Sequence, residues 1–427
     1  MKAQVMGHAW SACWDSDNLW ERPMQSKADI YRYDLRFKEP AMTSRGTYYT
    51  HTVWYVVFEH GNRMSIGECA PLPDLSSDFL SMGADLDERL FAYERKLKEL
   101  FAPVFKELLA CKTNEELLSF TPDTSAFLNY PSMLFGLEGM LAHMRRQLVG
   151  GLHEGQADLM LWDTPFSRNE EGILINGLIW MGDFETMGQR IKNKIDEGFR
   201  CIKLKIGAID FDRELELLSY IRERFSPEKL ELRVDANGAF SVEEAPAKLE
   251  QLSRFHLHSI EQPVKAGQYQ QMAELCASSP IAIGLDEELI GVYERERKIE
   301  LIDTIKPQYL IIKPSLHGGF AGTREWIELA SERGTGYWLT SALESTIGLN
   351  ALAQWCSTEE LTMPQGLGTG ALYTNNLNTP MYIKDARLFC NLSLPEMSNY
   401  RDYLHNLFAS SAARIFTTEY SCSHSTD

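Results

Sequence analysis

Residues 201–238 read CIKLKIGAIDFDRELELLSYIRERFSPEKLELRVDANG, and this stretch decides the fold. Cys201 to Ile206 is a strand-like run, Phe211–Phe225 carries a helical pattern, and Leu230–Asp235 is strand-like again. The same unit recurs outward on both sides roughly every 25–30 residues. Further strands are expected at Ile173–Leu178, His258–Glu261, Ile281–Asp286, Tyr309–Lys313 and Tyr337–Ser341. Further helices are expected over Phe184–Glu197, Val242–Phe255, Gln268–Ala277, Gly291–Leu301, Ala321–Glu332 and Thr346–Cys356. Strand–helix alternation of this kind builds a parallel sheet, and seven or eight units close it into a barrel. A doubly wound open sheet is the competing architecture. No glycine-rich dinucleotide fingerprint follows an early strand, and Gly366-Leu367-Gly368-Thr369-Gly370 has the wrong spacing for one.

Upstream, the pattern is different. Ile30–Phe37, Thr52–Phe58 and Met64–Cys69 read as strands, with Thr43-Ser44-Arg45-Gly46 and Gly61-Asn62 as the connections. Helical patterns follow at about Leu86–Leu109 and Pro131–Leu148. The expected organisation is an N-terminal extension over 1–27, an α+β domain over 28–165, the barrel over 166–372, and a C-terminal segment over 373–427. That last segment returns to complete the α+β domain and ends in a polar tail, Ser421 to Asp427, expected to be disordered.

The chain has 427 residues and a formal net charge of −18, which repels polyphosphate backbones and argues against nucleic acid as a partner. Its eight cysteines are dispersed without a C-x-x-C pair, as suits a reducing compartment. No apolar run approaches the roughly 18–20 residues that span a bilayer. Met1–Trp20 has no sustained apolar core, because Asp15 and Asp17 interrupt it. A cytoplasmic protein without a membrane partner is expected.

In a barrel, chemistry is carried by side chains at the C-terminal ends of the strands. Lys203 and Lys205 lie two apart on one strand and therefore share a face. The next three strands end in Asp235, Glu261 and Asp286, and the strand after them ends in Lys313. Three carboxylates converging on a barrel mouth repel one another unless a cation sits between them. A hard divalent ion with oxygen ligands, Mg²⁺ with Mn²⁺ as a substitute, suits such a set. The lysines beside that cation are expected to be lowered toward neutrality and so to serve as bases against a proton next to a carboxylate. Each signal also has an ordinary explanation. K-x-K pairs mostly lie on solvated strand edges, and Asp235-Ala236-Asn237-Gly238 also reads as a turn. Glu287 or Glu288 can stand in for Asp286 as the ligand, but Asp286 is preferred because it aligns with the strand end; Lys306-Pro307 mimics Lys313-Pro314, and His256-Leu257-His258 suggests a zinc site but has no second ligand set. It is the ordered succession of charged strand ends that outweighs these readings.

These residues resemble the enolase superfamily, muconate-lactonizing subgroup. The resemblance rests on Ile202–Gly207, Arg233–Gly238, Ile260-Glu261-Gln262-Pro263, Leu285-Asp286-Glu287 and Ile312-Lys313-Pro314, and spans about residues 28–390. It implies a (β/α)₇β barrel under an α+β capping domain, with Asp235, Glu261 and Asp286 as Mg²⁺ ligands. Within the subgroup, Thr43–Gly46, Ser315–Gly319, Thr340–Asn350 and Gln365–Tyr373 are most similar to the o-succinylbenzoate synthase family. That likeness implies loss of water from a cyclohexadiene carboxylate. Lys205 would move the protons, Lys313 would stabilise the anion from the opposite face, and Lys203 would contact the carboxylate. Ser341, Gly368 and Thr369 are candidate contacts to the substrate, and Arg45 would close the site or else be an ordinary exposed loop arginine. N-acylamino acid racemase or dipeptide epimerase chemistry is the alternative on the same scaffold, and a non-catalytic carboxylate-binding barrel is the more distant one.

Overall fold

The computed structural model describes residues 25–43, 46–149, 159–179, 184–207 and 210–420. Arg45, most of the N-terminal extension and the tail Ser421–Asp427 lie outside the described residues.

Three antiparallel strands open the fold: β1 Ser26–Thr43, β2 Gly46–His60 and β3 Arg63–Cys69. The first begins at Ser26, inside the stretch expected to be an extension. Its Ser26 Oγ lies 2.8 Å from His60 Nδ1 across the sheet. The helices α1 Ser77–Leu80, α2 Leu86–Ala110, α3 Asn114–Ser119 and α4 Pro131–Val149 follow. Local capping sets their starts. The Asp85 side chain accepts from Glu88 N, and Thr113 and Glu116 form a reciprocal capping box. The α2 and α4 helices bury Tyr93, Phe101, Phe105 and Met140 against Trp54 and Phe58 of the sheet. At Gly67 the backbone of β3 meets that of α4, where a Cβ would lie 1.9 Å from the Gly136 carbonyl oxygen.

The barrel strands are β5 Gly177–Ile179, β6 Cys201–Lys205, β7 Glu231–Asp235, β8 Ser259–Glu261, β9 Ile283–Leu285, β10 Tyr309–Ile312 and β11 Gly336–Leu339. They form one seven-stranded parallel sheet in sequence order. The strand expected at Ile173–Leu178 is divided: β4, Ile173–Leu174, leaves the barrel and pairs with a later strand. Single parallel bridges Thr340–Gly366 and Ile175–Gln365 close the ring, so Gln365-Gly366 stands where an eighth strand would. A Cβ on Gly366 would lie 2.3 Å from Thr340 Oγ1, so only glycine lets the chain approach this closely.

The outer helices are α5 Phe184–Asp196, α6 Phe211–Arg222, α7 Ala245–Ser253, α8 Tyr269–Ser278, α9 Arg295–Ile305, α10 Gly319–Glu332 and α11 Thr346–Cys356. The α9 helix starts four residues later than the pattern suggests, after a turn in which Gly291 has φ +83°. Leu232, Val234, Ile260, Ile283, Leu310 and Ile312 join the core between sheet and helices. The alternate residues of each strand face the barrel interior.

After the barrel come β12 Met381–Lys384 and β13 Arg387–Cys390, the latter paired with β4. Then α12, Tyr400–Ser411, leads to β14, Ala413–Tyr420, which pairs antiparallel with β1. The N-terminal sheet therefore has the order β14-β1-β2-β3, and Phe408 of α12 stacks on Tyr31 at 4.4 Å.

Candidate active site

Register alone brings the charged strand ends together. Lys205 is opposite Asp235, and Asp235 is opposite Glu261. Lys203 Nζ lies 2.6 Å from Glu261 Oε2 and 3.2 Å from Asp235 Oδ2. Lys205 Nζ is 3.5 Å from Asp235 Oδ2 and donates to Asn237 Oδ1 at 2.7 Å. Across the ring, Lys313 Nζ donates to both oxygens of Asp286. Asp235, Glu261 and Asp286 each present a carboxylate oxygen, all within 4.8 Å of one another. Glu261 Oε1 is buried without a hydrogen-bond partner among the described residues. Three converging oxygen donors, one of them unsatisfied, fit a hard divalent cation.

The neighbouring candidates make other contacts. Glu288 accepts from Gln262 Nε2 at 2.8 Å and from Gly267 N at 2.6 Å, and Glu287 Oε1 accepts from Asn237 Nδ2 at 3.0 Å. Lys306 ends α9 in the left-handed region at φ +52°. His258 lies just before β8, stacked on Tyr309 at 4.9 Å. Among the described residues, the histidines belong to no metal-binding group.

The carboxylates diverge in acidity because the ammonium groups are unevenly shared. Burial alone would raise Asp235, but Lys203, Lys205 and Lys313 reverse this and hold it well below the usual range. At Glu261 burial wins: it pushes the carboxyl up to about 7, with Lys203 opposing and Asp235 and Asp286 reinforcing. Burial also raises Asp286, against the pull of Lys313. Lys203 departs from the expected lowering. Burial acts in that direction, yet Asp235, Glu261 and Asp286 overcome it and hold the ammonium above its ordinary value.

Lys203, Lys205, Asp235, Asp286 and Lys313 floor a cavity whose walls include Ser341, Gly368 and Thr369, and Ser341 Oγ is 2.6 Å from Thr369 Oγ1. The N-terminal sheet contributes Phe37, Tyr48, Thr50 and His51 from above. His51 is fully buried, its pKa lowered by that burial, with Nε2 3.1 Å from the Pro71 carbonyl oxygen and Nδ1 3.1 Å from that of Leu343. Sequence reasoning missed Asn237 and His51, and weighed Glu287 only as a substitute for Asp286. Asn237 had a readable signal: two residues past Asp235, with φ +45°, it folds back over Lys205.

Residues 186–388 match the family described as enolase C-terminal domain-like. An o-succinylbenzoate synthase from Desulfotalea psychrophila is 48% identical over 355 residues, covering 81% of this chain and 94% of that protein. The chain belongs to the o-succinylbenzoate synthase family of the enolase superfamily. The crystal structure of MenC from Desulfotalea psychrophila is similar with a TM-score of 0.70 at 41% identity, covering 86% of this chain and 99% of that one. A muconate lactonizing enzyme from Pseudomonas fluorescens shares the fold, with a TM-score of 0.65 at 20% identity over 85% of this chain and 92% of that one. Likeness to an L-amino acid-D/L-Glu epimerase from Francisella philomiragia, 30% identical, covers 41% of this chain and 48% of that protein. The extended likeness is thus to the synthase.

Proposed function

We propose that this chain is a carbon–oxygen lyase that dehydrates 2-succinyl-6-hydroxy-2,4-cyclohexadiene-1-carboxylate to o-succinylbenzoate, a step of menaquinone biosynthesis carried out in the cytoplasm. The carrying observation is a near full-length likeness to a synthase, in a chain that sets Lys205 and Lys313 on opposite sides of a carboxylate cluster. Among the described residues, no helix is long and apolar enough to cross a membrane.

Asp235, Glu261 and Asp286 would hold the cation, Mg²⁺ or Mn²⁺ in its place. When bound, that ion supplies positive charge against the negative charge that develops on the substrate carboxylate. Lys205 Nζ takes the proton from the ring carbon that bears the carboxylate. The electron pair left behind forms the new ring double bond as the C–O bond of the hydroxyl breaks. Lys205, now protonated, returns its proton to the departing hydroxyl on the same face, so water leaves and the base is regenerated. Lys313 faces the developing anion from the other side and favours it by charge. Lys203, held between Asp235 and Glu261, adds positive charge toward the carboxylate. Ser341, Gly368 and Thr369, which line the cavity, would orient the succinyl or ring carboxylate through hydroxyls and backbone N–H groups. Aromatisation supplies the driving force, so the chain's task is placement and charge.

The test is a spectrophotometric assay of the purified protein with the cyclohexadiene substrate. Loss of the diene absorbance is expected with Mg²⁺, abolished by a chelator and restored by Mg²⁺. Absence of turnover, with racemisation of N-succinyl amino acids in its place, would overturn the reading in favour of a racemase that uses both lysines as bases.

A further inference from the structure

We propose that Glu68, on β3 of the N-terminal sheet, is a positioning residue for the active-site wall formed by residues 341–345 of the barrel. Ser341, Ala342 and Leu343 line the cavity, and Leu343 is held in the left-handed region at φ +66°. A non-glycine residue keeps that conformation only where its surroundings enforce it. The N-terminal sheet supplies much of that enforcement. Glu68 Oε1 accepts from Ser345 N at 2.7 Å, and Oε2 accepts from Gly348 N at 2.6 Å and from Ser345 Oγ. Tyr55 of β2 donates to Ser345 Oγ at 2.9 Å. The Leu343 carbonyl oxygen accepts from Tyr373 at 2.6 Å.

The fit around Glu68 leaves little freedom. The residue is 1% exposed, and a Cβ on Gly348 would lie 3.0 Å from Glu68 Oε2 and 2.7 Å from Glu344 Cβ. Burial pushes the carboxyl up to about 7 against the lowering pull of the Ser345 and Gly348 donors. Its three bonds therefore fix the start of α11 from a different sheet, and through it the end of the wall. The other end has a separate tie. Glu344 accepts from Ala342 N at 2.7 Å and from Ser315 Oγ at 2.6 Å, which joins the wall to the segment just after Lys313. Loss of Glu68 thus loosens the substrate-facing surface while Lys313 keeps its own tether, so the effect falls on KM more than on kcat.

Glu138 of α4 gives the internal control. It too is a buried carboxylate of the N-terminal half, pushed up to about 7 by burial, and it caps a barrel helix: it accepts from Ala321 N at 3.2 Å and from Phe320 N at the start of α10. Unlike the 341–343 segment beside the residues that Glu68 holds, Phe320 and Ala321 do not line the cavity. E68Q replaces one acceptor with a donor facing donors and is expected to raise KM about tenfold with kcat changed less than about threefold. E138Q is expected to lower the thermal midpoint with KM unchanged. An E68Q enzyme with a lowered midpoint but wild-type KM would overturn the inference, as would E138Q raising KM to the same degree. If E68Q does not accumulate folded, Ser345→Ala reads the same quantity with one hydroxyl removed. Its KM is expected to rise about threefold, and an unchanged KM would overturn the inference. The assay rests on the dehydration proposed above. A wild-type protein inactive on the diene would sink that reading alone, and the KM comparison would then be made with the N-succinyl amino acid it racemises.

Discussion

At the N-terminal ends of β6 and β7, Glu231 Oε1 accepts from Arg233 Nε at 2.8 Å and from Cys201 Sγ at 3.2 Å. Arg233 Nη1 donates to the Pro364 carbonyl oxygen at 3.0 Å, and its guanidinium carbon lies 4.2 Å from the centre of the Trp338 ring. Two to four residues further along the same strands, Lys203, Lys205 and Asp235 face the cavity with Asp286 and Lys313, and Glu261 is buried 2.6 Å from Lys203 Nζ. Both levels point into one barrel, because side chains two apart on a strand share a face. The lower level pairs one cation with one carboxylate and lays the guanidinium on an aromatic ring. The upper level crowds three carboxylates among three lysines, and burial pushes Glu261 up to about 7. Charge at the lower level is balanced within the barrel interior, whereas charge at the upper level gathers three carboxylates within 4.8 Å of one another beside the cavity.

The largest effect that follows from this contrast is on turnover. Lys205→Ala is expected to lower kcat by about 10³-fold or more, the range for a lost proton-transferring group, while the thermal midpoint barely moves. Near-normal turnover in that variant would remove Lys205 from the proposed proton transfers. Arg233→Met should do the reverse. Loss of the hydrogen bonds and the stacked cation is expected to cost about 2 kcal/mol of stability by chemical denaturation, with kcat/KM within about threefold of wild type. A large kinetic loss without destabilisation would show that the lower level takes part in the chemistry.

The smallest effect is a pH dependence. Burial raises Glu261, Glu68, Asp78 and Glu138 to about 7 in the folded protein. Each is bound to its proton more tightly folded than unfolded. The stability this contributes is complete below the unfolded pKa, near 4, and is lost as pH rises through about 7. The metal-stripped protein should therefore lose thermal midpoint between about pH 5 and pH 8. Mg²⁺ should flatten the part due to Glu261, and Glu261→Gln should remove it. A midpoint that rises over this range in scanning calorimetry would contradict the assignment.

How much of this could be read in advance varies with distance along the chain. Lys203, Lys205, Asp235, Glu261, Asp286 and Lys313 were legible because strand period and strand ends are local properties, and consecutive parallel strands stack such ends side by side. Asp286 could be preferred to Glu287 and Glu288 by its alignment with the strand end, but what separates the three in space was not legible. The backbone turns directly after β9, and Gln262, 26 residues upstream of Glu288, holds that carboxylate away. Asn237 read as a turn residue because its partner, Lys205, is on the preceding strand.

What the sequence determined by itself is the succession of strand–helix units and the charged residues at the ends of β6 to β10, since both follow from patterns a few residues long. The tertiary structure alone decided the division of Ile173–Leu178, the closure by two residues at Gln365-Gly366, the pairing of Ser26 with Tyr420, and the grip of Glu68 on Ser345. These contacts join segments far apart in the chain. Their hydrogen bonds leave no periodic trace in either segment, so only the folded chain brings the partners together.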